Sequence, residues 1–270
     1  MTKERLDKLV TQRDLFSSRS QAKRAIMAGL VLVNEQVVDK AGTQVDVEAE
    51  IRVKGEVHPY VSRGGLKLEK ALKEFEISVQ DKVVIDIGAS TGGFTDCALE
   101  FGARQVYAVD VGYGQLAWKL RQDQRVVNLE RTNARYLTPE DFEVQFDLAT
   151  VDVAFISLTK ILPALVGLLV EKGEVLALIK PQFEAGPENV NSNGVVKDLA
   201  VHREVIKKVV NCAQKIDLKL IDLSFSPITG AKGGNIEYLA YFTLDTTQEI
   251  IDNLASKLEE VIAAAEQIEN

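Results

Sequence analysis

Short apolar runs alternate with amphipathic stretches along most of this 270-residue chain. Segments 83–87, 105–109, 126–129, 148–151, 175–179, 219–225 and 238–244 read as strands. Between them, 67–75, 94–101, 159–170 and 199–216 carry apolar residues at helical spacing. Such alternation predicts an α/β domain whose largely parallel, seven-stranded sheet is covered on both faces. A last helix is expected over 247–269, with Ile250, Ile251, Leu254, Leu258, Val261 and Ile262 as its apolar stripe. Its acidic outer face reads as solvated surface.

The first 54 residues follow a different pattern. Leu6, Leu9 and Val10 recur at helical spacing, and a second helix is expected from the S-x-x-Q capping pattern at Ser18–Gln21 to Gly29. Ala22, Ala25 and Ile26 make its buried stripe, while Arg19, Lys23 and Arg24 crowd the other face. Residues 30–33, the pair Asn34-Glu35 and residues 37–38 read as strand, turn and strand, and 51–53 as a further strand. The expected organisation is an α+β unit over 1–54, a linker over 55–62, an α/β domain over 63–245 and a terminal helix over 246–270. The linker contains Gly55, His58 and Pro59 and has no periodicity.

Charge sharpens that division. The chain carries −8 overall, but residues 1–34 hold 7 Lys/Arg against 3 Asp/Glu, and Lys257 is the only basic residue from Asp245 onward. A basic first segment on an acidic chain reads either as ordinary solvated surface or as the face for a nucleic-acid partner. With Cys97 and Cys212 as the only cysteines, neither a disulfide framework nor a metal cluster is expected. The charged N-terminus does not resemble a secretion signal, and the longest apolar run, 161–170, is too short to span a bilayer. A cytoplasmic protein without stable membrane association is the expectation; oligomeric state stays open.

The candidate chemistry starts at DIGASTGGFTD, residues 86–96, between a strand and a helix. Gly88, Gly92 and Gly93 allow a sharp turn and close approach of a ligand, and the amides near Phe94 and Thr95 open the helix. Asp110 ends the next strand, where an acid can bind both hydroxyls of a ribose. That placement suits NAD and S-adenosylmethionine alike. The G-x-x-x-G-G spacing departs from G-x-G-x-x-G, and the loop has no phosphate-binding Lys or Arg, so S-adenosylmethionine is favoured. Asp86 beside the turn suits its amino-acid end. Asn133, in RTNAR, stands where an adenine contact or a simple turn asparagine would be found.

Several separated motifs then converge. SRSQAKRAIMAGLVLVNEQVV resembles the small RNA-binding fold named after the fourth protein of the small ribosomal subunit. That likeness implies phosphate contacts by Arg5, Arg19, Lys23 and Arg24. Glu35 departs from the glycine common in its hairpin. DIGASTGGFTD, AVDVGYGQL, ERTNAR, VDVAFISL and LIKPQFEAG, in this order with SRGGLKLEKAL, resemble the TlyA family of ribosomal RNA methyltransferases, within the FtsJ-type group. The resemblance implies a Rossmann-like S-adenosylmethionine-dependent methyltransferase domain. Asp86, Gly88, Ser90, Gly92, Gly93, Phe94, Thr95, Asp110, Asn133 and Asp152 are its expected cofactor residues. It further implies ribose 2′-O-methylation, with cytidine in ribosomal RNA or ribosomal subunits as acceptor, by the set Lys67, Asp152, Lys180 and Glu237.

The chemistry of a ribose hydroxyl fits that set. The hydroxyl must be oriented and must lose its proton as it attacks, and a lysine serves as base only if its pKa is drawn down. Lys180 is the expected base, with Lys67 orienting and the two carboxylates balancing charge. Amino methylation fits less well, because Asp152-Val153-Ala154-Phe155 replaces the usual Asp/Asn-Pro-Pro-aromatic loop. Both cysteines read as packing residues rather than nucleophiles. An assembly factor with an inactive methyltransferase domain and a membrane-lytic protein are the competing readings.

Overall fold

A computed structural model describes residues 2–13, 15–16, 18–54, 58–230 and 234–267. The chain forms two compact units, 1–59 and 60–270. In the first, β1 (Lys3–Arg5), α1 (Leu6–Gln12), α2 (Arg19–Met27), β2 (Val31–Val33), β3 (Gln36–Val37), β4 (Gln44–Asp46) and β5 (Ile51–Val53) follow in order. Leu6, Leu9 and Val10 pack against Ala22, Ala25 and Ile26 in its core. The Ser18 hydroxyl accepts the Gln21 amide at 3.2 Å, so α2 starts where its capping pattern places it.

Strands β3, β2 and β5 form one antiparallel sheet, and β1 pairs with β4 in a second, two-stranded one. The β1–β4 ribbon escapes the sequence pattern because each strand has three residues and only Val45 is buried. Between β2 and β3, Asn34 and Glu35 both take positive φ, 49° and 62°, as a two-residue hairpin requires. Glu35 tolerates the less favourable conformation while its carboxylate receives two bonds from Arg52 on β5, at 3.0 and 2.8 Å.

The second unit contains α3 (Gly64–Glu74), β6 (Val83–Ile87), α4 (Gly93–Glu100), β7 (Gln105–Val109), α5 (Trp118–Arg121), β8 (Val126–Leu129) and β9 (Phe146–Val151). It continues with α6 (Leu162–Val166), β10 (Leu169–Ile179), α7 (Pro181–Glu184), α8 (Leu199–Gln214), β11 (Lys219–Phe225), β12 (Tyr238–Thr243) and α9 (Leu254–Glu266). The seven strands lie in the order β11-β12-β10-β9-β6-β7-β8. All pairs are parallel except those of β12, which runs antiparallel between β10 and β11. Buried side chains cover both faces, with Ile85, Phe146, Val175 and Phe242 on one and Val84, Leu148, Leu176 and Leu239 on the other. The apolar run 175–179 of β10, buried along its whole length, needs this double cover.

Three expectations are corrected. The helix expected over 159–170 divides into a 3-10 turn at Leu158–Lys160, the short α6 and the start of β10. Pro163 is admissible only in a first helical turn, and Leu169 pairs with Phe146 in the sheet; a continuous apolar run does not separate helix from strand. The last helix begins at Leu254, not residue 247, because Asp245 closes a turn on Thr247 and Asn253 caps the helix by accepting the Ser256 amide. Residues 268 and 269 of the expected helix lie outside the described residues. Leu258, Val261 and Ile262 put α9 into the core of the second unit rather than on a separate tail. Finally, the linker expected over 55–62 stops short: Tyr60 is buried in the second unit, and the Val61 amide donates to Asp96 at 2.7 Å. Residues 55–57 lie outside the described residues. Among the described residues no helix is long and apolar enough to cross a membrane.

Candidate active site

Strand β6 leads on to β7 and β8 at one side of the sheet, while β9 leads to β10, β12 and β11 at the other. The crevice at the carboxyl ends of β6 and β9 is therefore the topological switch point, where ligands of such sheets bind. Gly88 ends β6 there with φ 85°, and a Cβ on it would stand 2.5 Å from the Asp152 carbonyl oxygen. No other residue lets the two strand ends approach so closely.

Two cavities meet at this crevice. The first, about 490 Å³, is lined by Gly88, Ser90, Asp110, Asn133 and Asp152, with Val109 and Ile156 among its apolar walls. Asp110 is pre-set by two backbone amides, accepting from Ser90 at 2.8 Å and Gly112 at 2.7 Å, with lone pairs left over for a diol. Asn133 lines the cavity, and its side chain caps the turn at Ala134–Tyr136 by accepting the Arg135 amide at 3.1 Å, as its reading as a turn asparagine expects.

Three expected cofactor residues stand behind the wall instead. Asp86 is buried and accepts from the Thr95 hydroxyl at 2.6 Å and the Thr150 hydroxyl at 3.0 Å. Burial pushes its carboxyl up to about 6 against the pull of those two donors. Asp86 and Thr95 thus brace the glycine turn from beneath. Gly92 faces α5, where a Cβ would meet Leu120 at 2.3 Å.

The second cavity, about 350 Å³, shares Gly88, Ser90, Asp152 and Ala154 with the first and adds Lys67, Gly93, Phe94 and Lys180. Lys67 comes from α3, Asp152 follows β9, Lys180 follows β10 and Glu237 precedes β12. The four form one chain of charge. Lys67 Nζ lies 2.6 Å from Glu237 Oε2 and 3.6 Å from Asp152 Oδ2, while Lys180 Nζ pairs with Asp152 Oδ1. Burial alone would draw the Lys67 ammonium down, but Asp152 and Glu237 outweigh it and hold it above its ordinary range. Burial would likewise raise the Asp152 carboxyl, yet Lys67 and Lys180 keep it below the usual value. Lys67 and Asp152 therefore form a fixed ion pair, and among the described residues Lys180, at the cavity wall, is paired with Asp152.

This arrangement coincides with two matches to known families. The model of the FtsJ-like methyltransferases matches residues 60–244, and that of the S4 domain matches residues 4–51. The chain belongs to the FtsJ-like methyltransferase family. It is 42% identical over 247 residues to the 16S/23S rRNA (cytidine-2′-O)-methyltransferase TlyA of Mycobacterium tuberculosis, covering 91% of this chain and 92% of that one. It is 44% identical to Hemolysin A of Brachyspira hyodysenteriae, covering 89% and 100%. A solved Streptococcus thermophilus protein described as a hemolysin superposes with a TM-score of 0.76 at 50% identity, covering 99% of this chain and 97% of that one.

In the S4 domain, two of the four expected phosphate contacts share an anchor. Buried Asp7 accepts from Arg5 Nε at 3.0 Å and Nη2 at 3.1 Å, and from Arg19 Nη2 at 3.0 Å. Both guanidiniums stay about half exposed, so the carboxylate aims them rather than consumes them. Lys23 and Arg24 are exposed, with Arg24 also donating to the Pro59 carbonyl at 3.2 Å.

The FtsJ-like domain also holds a residue that sequence reasoning passed over. Phe155, three places after Asp152, is 91% exposed at the cleft mouth, with φ 62°. Its ring lies 5.0 Å from that of Phe183, which follows Lys180 on α7. A bulky residue held exposed in the left-handed region is a functional signal. The aromatic three places after Asp152 is legible in VDVAF, whereas its left-handed backbone and its contact with Phe183 are not.

Proposed function

We propose that this protein transfers a methyl group from S-adenosylmethionine to the 2′-hydroxyl of a ribose in ribosomal RNA, with cytidine as the acceptor nucleotide. The observation that carries this reading is the Glu237–Lys67–Asp152–Lys180 chain at the junction of the two cavities. S-adenosylmethionine, when bound, supplies the electrophilic methyl group. The first cavity fits it in size and chemistry: Asp110 suits the ribose diol, Asn133 and the apolar walls suit the adenine, and no cation of the glycine loop calls for a phosphate.

The chain's own groups divide the remaining work. Asp152 and Lys67 orient the acceptor hydroxyl in the second cavity. Lys180 would take the hydroxyl proton while the methyl carbon passes from the sulfonium sulfur, which leaves as a neutral thioether, to that oxygen. Lys67 keeps its own proton and balances Asp152 and Glu237. Phe155 offers an exposed face against which the acceptor base stacks, a contact that tolerates any base and so adds affinity before specificity. The S4 domain supplies cationic contacts that hold RNA in register without reading its sequence. The name of the TlyA relative supports cytidine and a ribosomal substrate, and a ribosomal substrate supports a cytoplasmic location.

The decisive experiment incubates the purified protein with labelled S-adenosylmethionine and ribosomal subunits or naked ribosomal RNA, then digests to nucleosides for mass spectrometry. The expected product is 2′-O-methylcytidine. Base-methylated nucleosides would overturn the acceptor assignment, and bound cofactor with no methyl transfer would favour the inactive assembly factor. Asp110→Ala is expected to weaken S-adenosylmethionine affinity about 10- to 100-fold by calorimetry, through loss of charge-assisted bonds of roughly 1.5–3 kcal/mol. Unchanged affinity would remove Asp110 from the cofactor site.

A further inference from the structure

We propose that Glu184 is a positioning residue that clamps the two sides of the acceptor cavity together, setting the placement of Lys180 against Asp152. The inference rests on the methyl-transfer reading above, in which both groups meet the acceptor. Its starting point is where the sheet stops. The parallel ladder between β9 and β10 closes at the pair Val151–Ala177. Asp152 and Lys180 both lie beyond it, on segments that leave the sheet, and the Asp152 amide turns instead to the Ile87 carbonyl on β6.

Glu184 spans the gap the ladder leaves. Its carboxylate is 95% removed from solvent, its relative exposure being 5%, and both oxygens face the segment after Asp152. Oε1 accepts the Leu158 amide at 2.7 Å, and Oε2 accepts the Ser157 hydroxyl at 2.6 Å. Ser157 Oγ in turn accepts the Thr159 amide at 3.2 Å, opening the 3-10 turn at Leu158–Lys160. On the far side, Lys208 of α8 donates to the Glu184 carbonyl at 2.8 Å and stands 3.8 Å from Oε2. The Phe155–Phe183 ring contact runs alongside as a second, apolar strut.

Burying a carboxylate is costly unless its lone pairs are satisfied. Here burial pushes the Glu184 carboxyl up, against Ser157, Leu158 and Lys208. A hydrophobic residue would close the space at less cost but would leave the Leu158 amide without its acceptor. The carboxylate matters most during the reaction. When the acceptor hydroxyl engages Lys180, the Lys180–Asp152 pair loosens, and the direct tie between the two segments weakens. Glu184 keeps them in place at that moment, where a displacement of about 1 Å costs on the order of 100-fold in rate.

The test uses the full chain and compares Glu184→Ala with Glu184→Gln. The amide oxygen of Gln can accept from Leu158, and its NH₂ can donate to a rotated Ser157 hydroxyl, so Gln keeps the clamp without the charge. Glu184→Ala is expected to lower the single-turnover methylation rate about 10- to 100-fold, with S-adenosylhomocysteine affinity unchanged within about threefold. Hydrogen exchange should show residues 152–160 losing protection. Glu184→Gln should restore the rate to within about threefold of wild type and restore protection. The proposal is overturned if Glu184→Ala keeps the wild-type rate, if its exchange is unchanged, or if Glu184→Gln is as slow as Glu184→Ala. Wild-type activity is scored first, so an inactive wild type counts against the functional reading alone. The exchange comparison then decides the clamp by itself.

Discussion

Lys180→Ala is expected to slow methyl transfer by about 10²- to 10⁴-fold, the range of a lost general base, while cofactor affinity stays within about threefold. Lys180 lines the acceptor cavity and is paired with Asp152, whereas Lys67 is held by two carboxylates that fix its proton. Lys180→Arg discriminates base from mere cation. A guanidinium keeps its charge at all accessible pH and cannot accept the hydroxyl proton, so this variant should be as slow as the alanine variant. Single-turnover kinetics with ribosomal RNA measure both. A Lys180→Arg enzyme with a tenth or more of the wild-type rate would move the base elsewhere and leave Lys180 an electrostatic role.

Glu237→Ala is expected to destabilise the second unit by about 2–4 kcal/mol, read as a lowered urea midpoint. Glu237 and Lys67 are both buried, and among the described residues the substitution leaves the Lys67 ammonium the longer contact to Asp152, at 3.6 Å. Removing one partner of a buried pair costs more than removing both, because the survivor keeps its desolvation penalty. The double variant Lys67→Met with Glu237→Leu should therefore recover most of the lost stability. It should also remain inactive, since Lys67 touches the acceptor cavity. A double variant as unstable as Glu237→Ala would show that the pair is a packing element rather than charge maintained for the reaction. Stability and activity parting in this way is the signature expected of a buried ion pair that serves the reaction.

The strands that carry the site were legible in the sequence because each is a short apolar run bounded by turn residues. Residues 83–87, 105–109, 126–129 and 219–225 form strands with the expected ends. The glycine turn was legible for a related reason: Gly88 answers a local steric demand that no other residue meets. The 159–170 segment departs from a single helix because Pro163 stands in the first turn of the short α6 and Leu169-Val170 already belongs to β10, a division that apolar residue type does not mark. In sequence Asp86 stands beside the turn and Thr95 opens the next helix, which is why both read as cofactor residues. Only the turn's three-dimensional path puts them beneath it, against Thr150. Phe155 and Glu184 were missed for a different reason. The role of each depends on a partner in another element: Phe183 for the first, and Ser157 and Leu158 for the second.

By itself the sequence determined the α/β class, the basic first segment and the turn at residues 86–96. Those are properties of local patterning and residue type, which need no distant contact to be read. The tertiary structure alone decided that Lys67, Asp152, Lys180 and Glu237 touch, because 170 positions separate Lys67 from Glu237 and only the sheet order brings them together. It also decided which acids face the cleft and which brace it, since a carboxylate's role follows from the donors around it. Residue type sets what each group can do, and the path of the chain sets which groups act on one another.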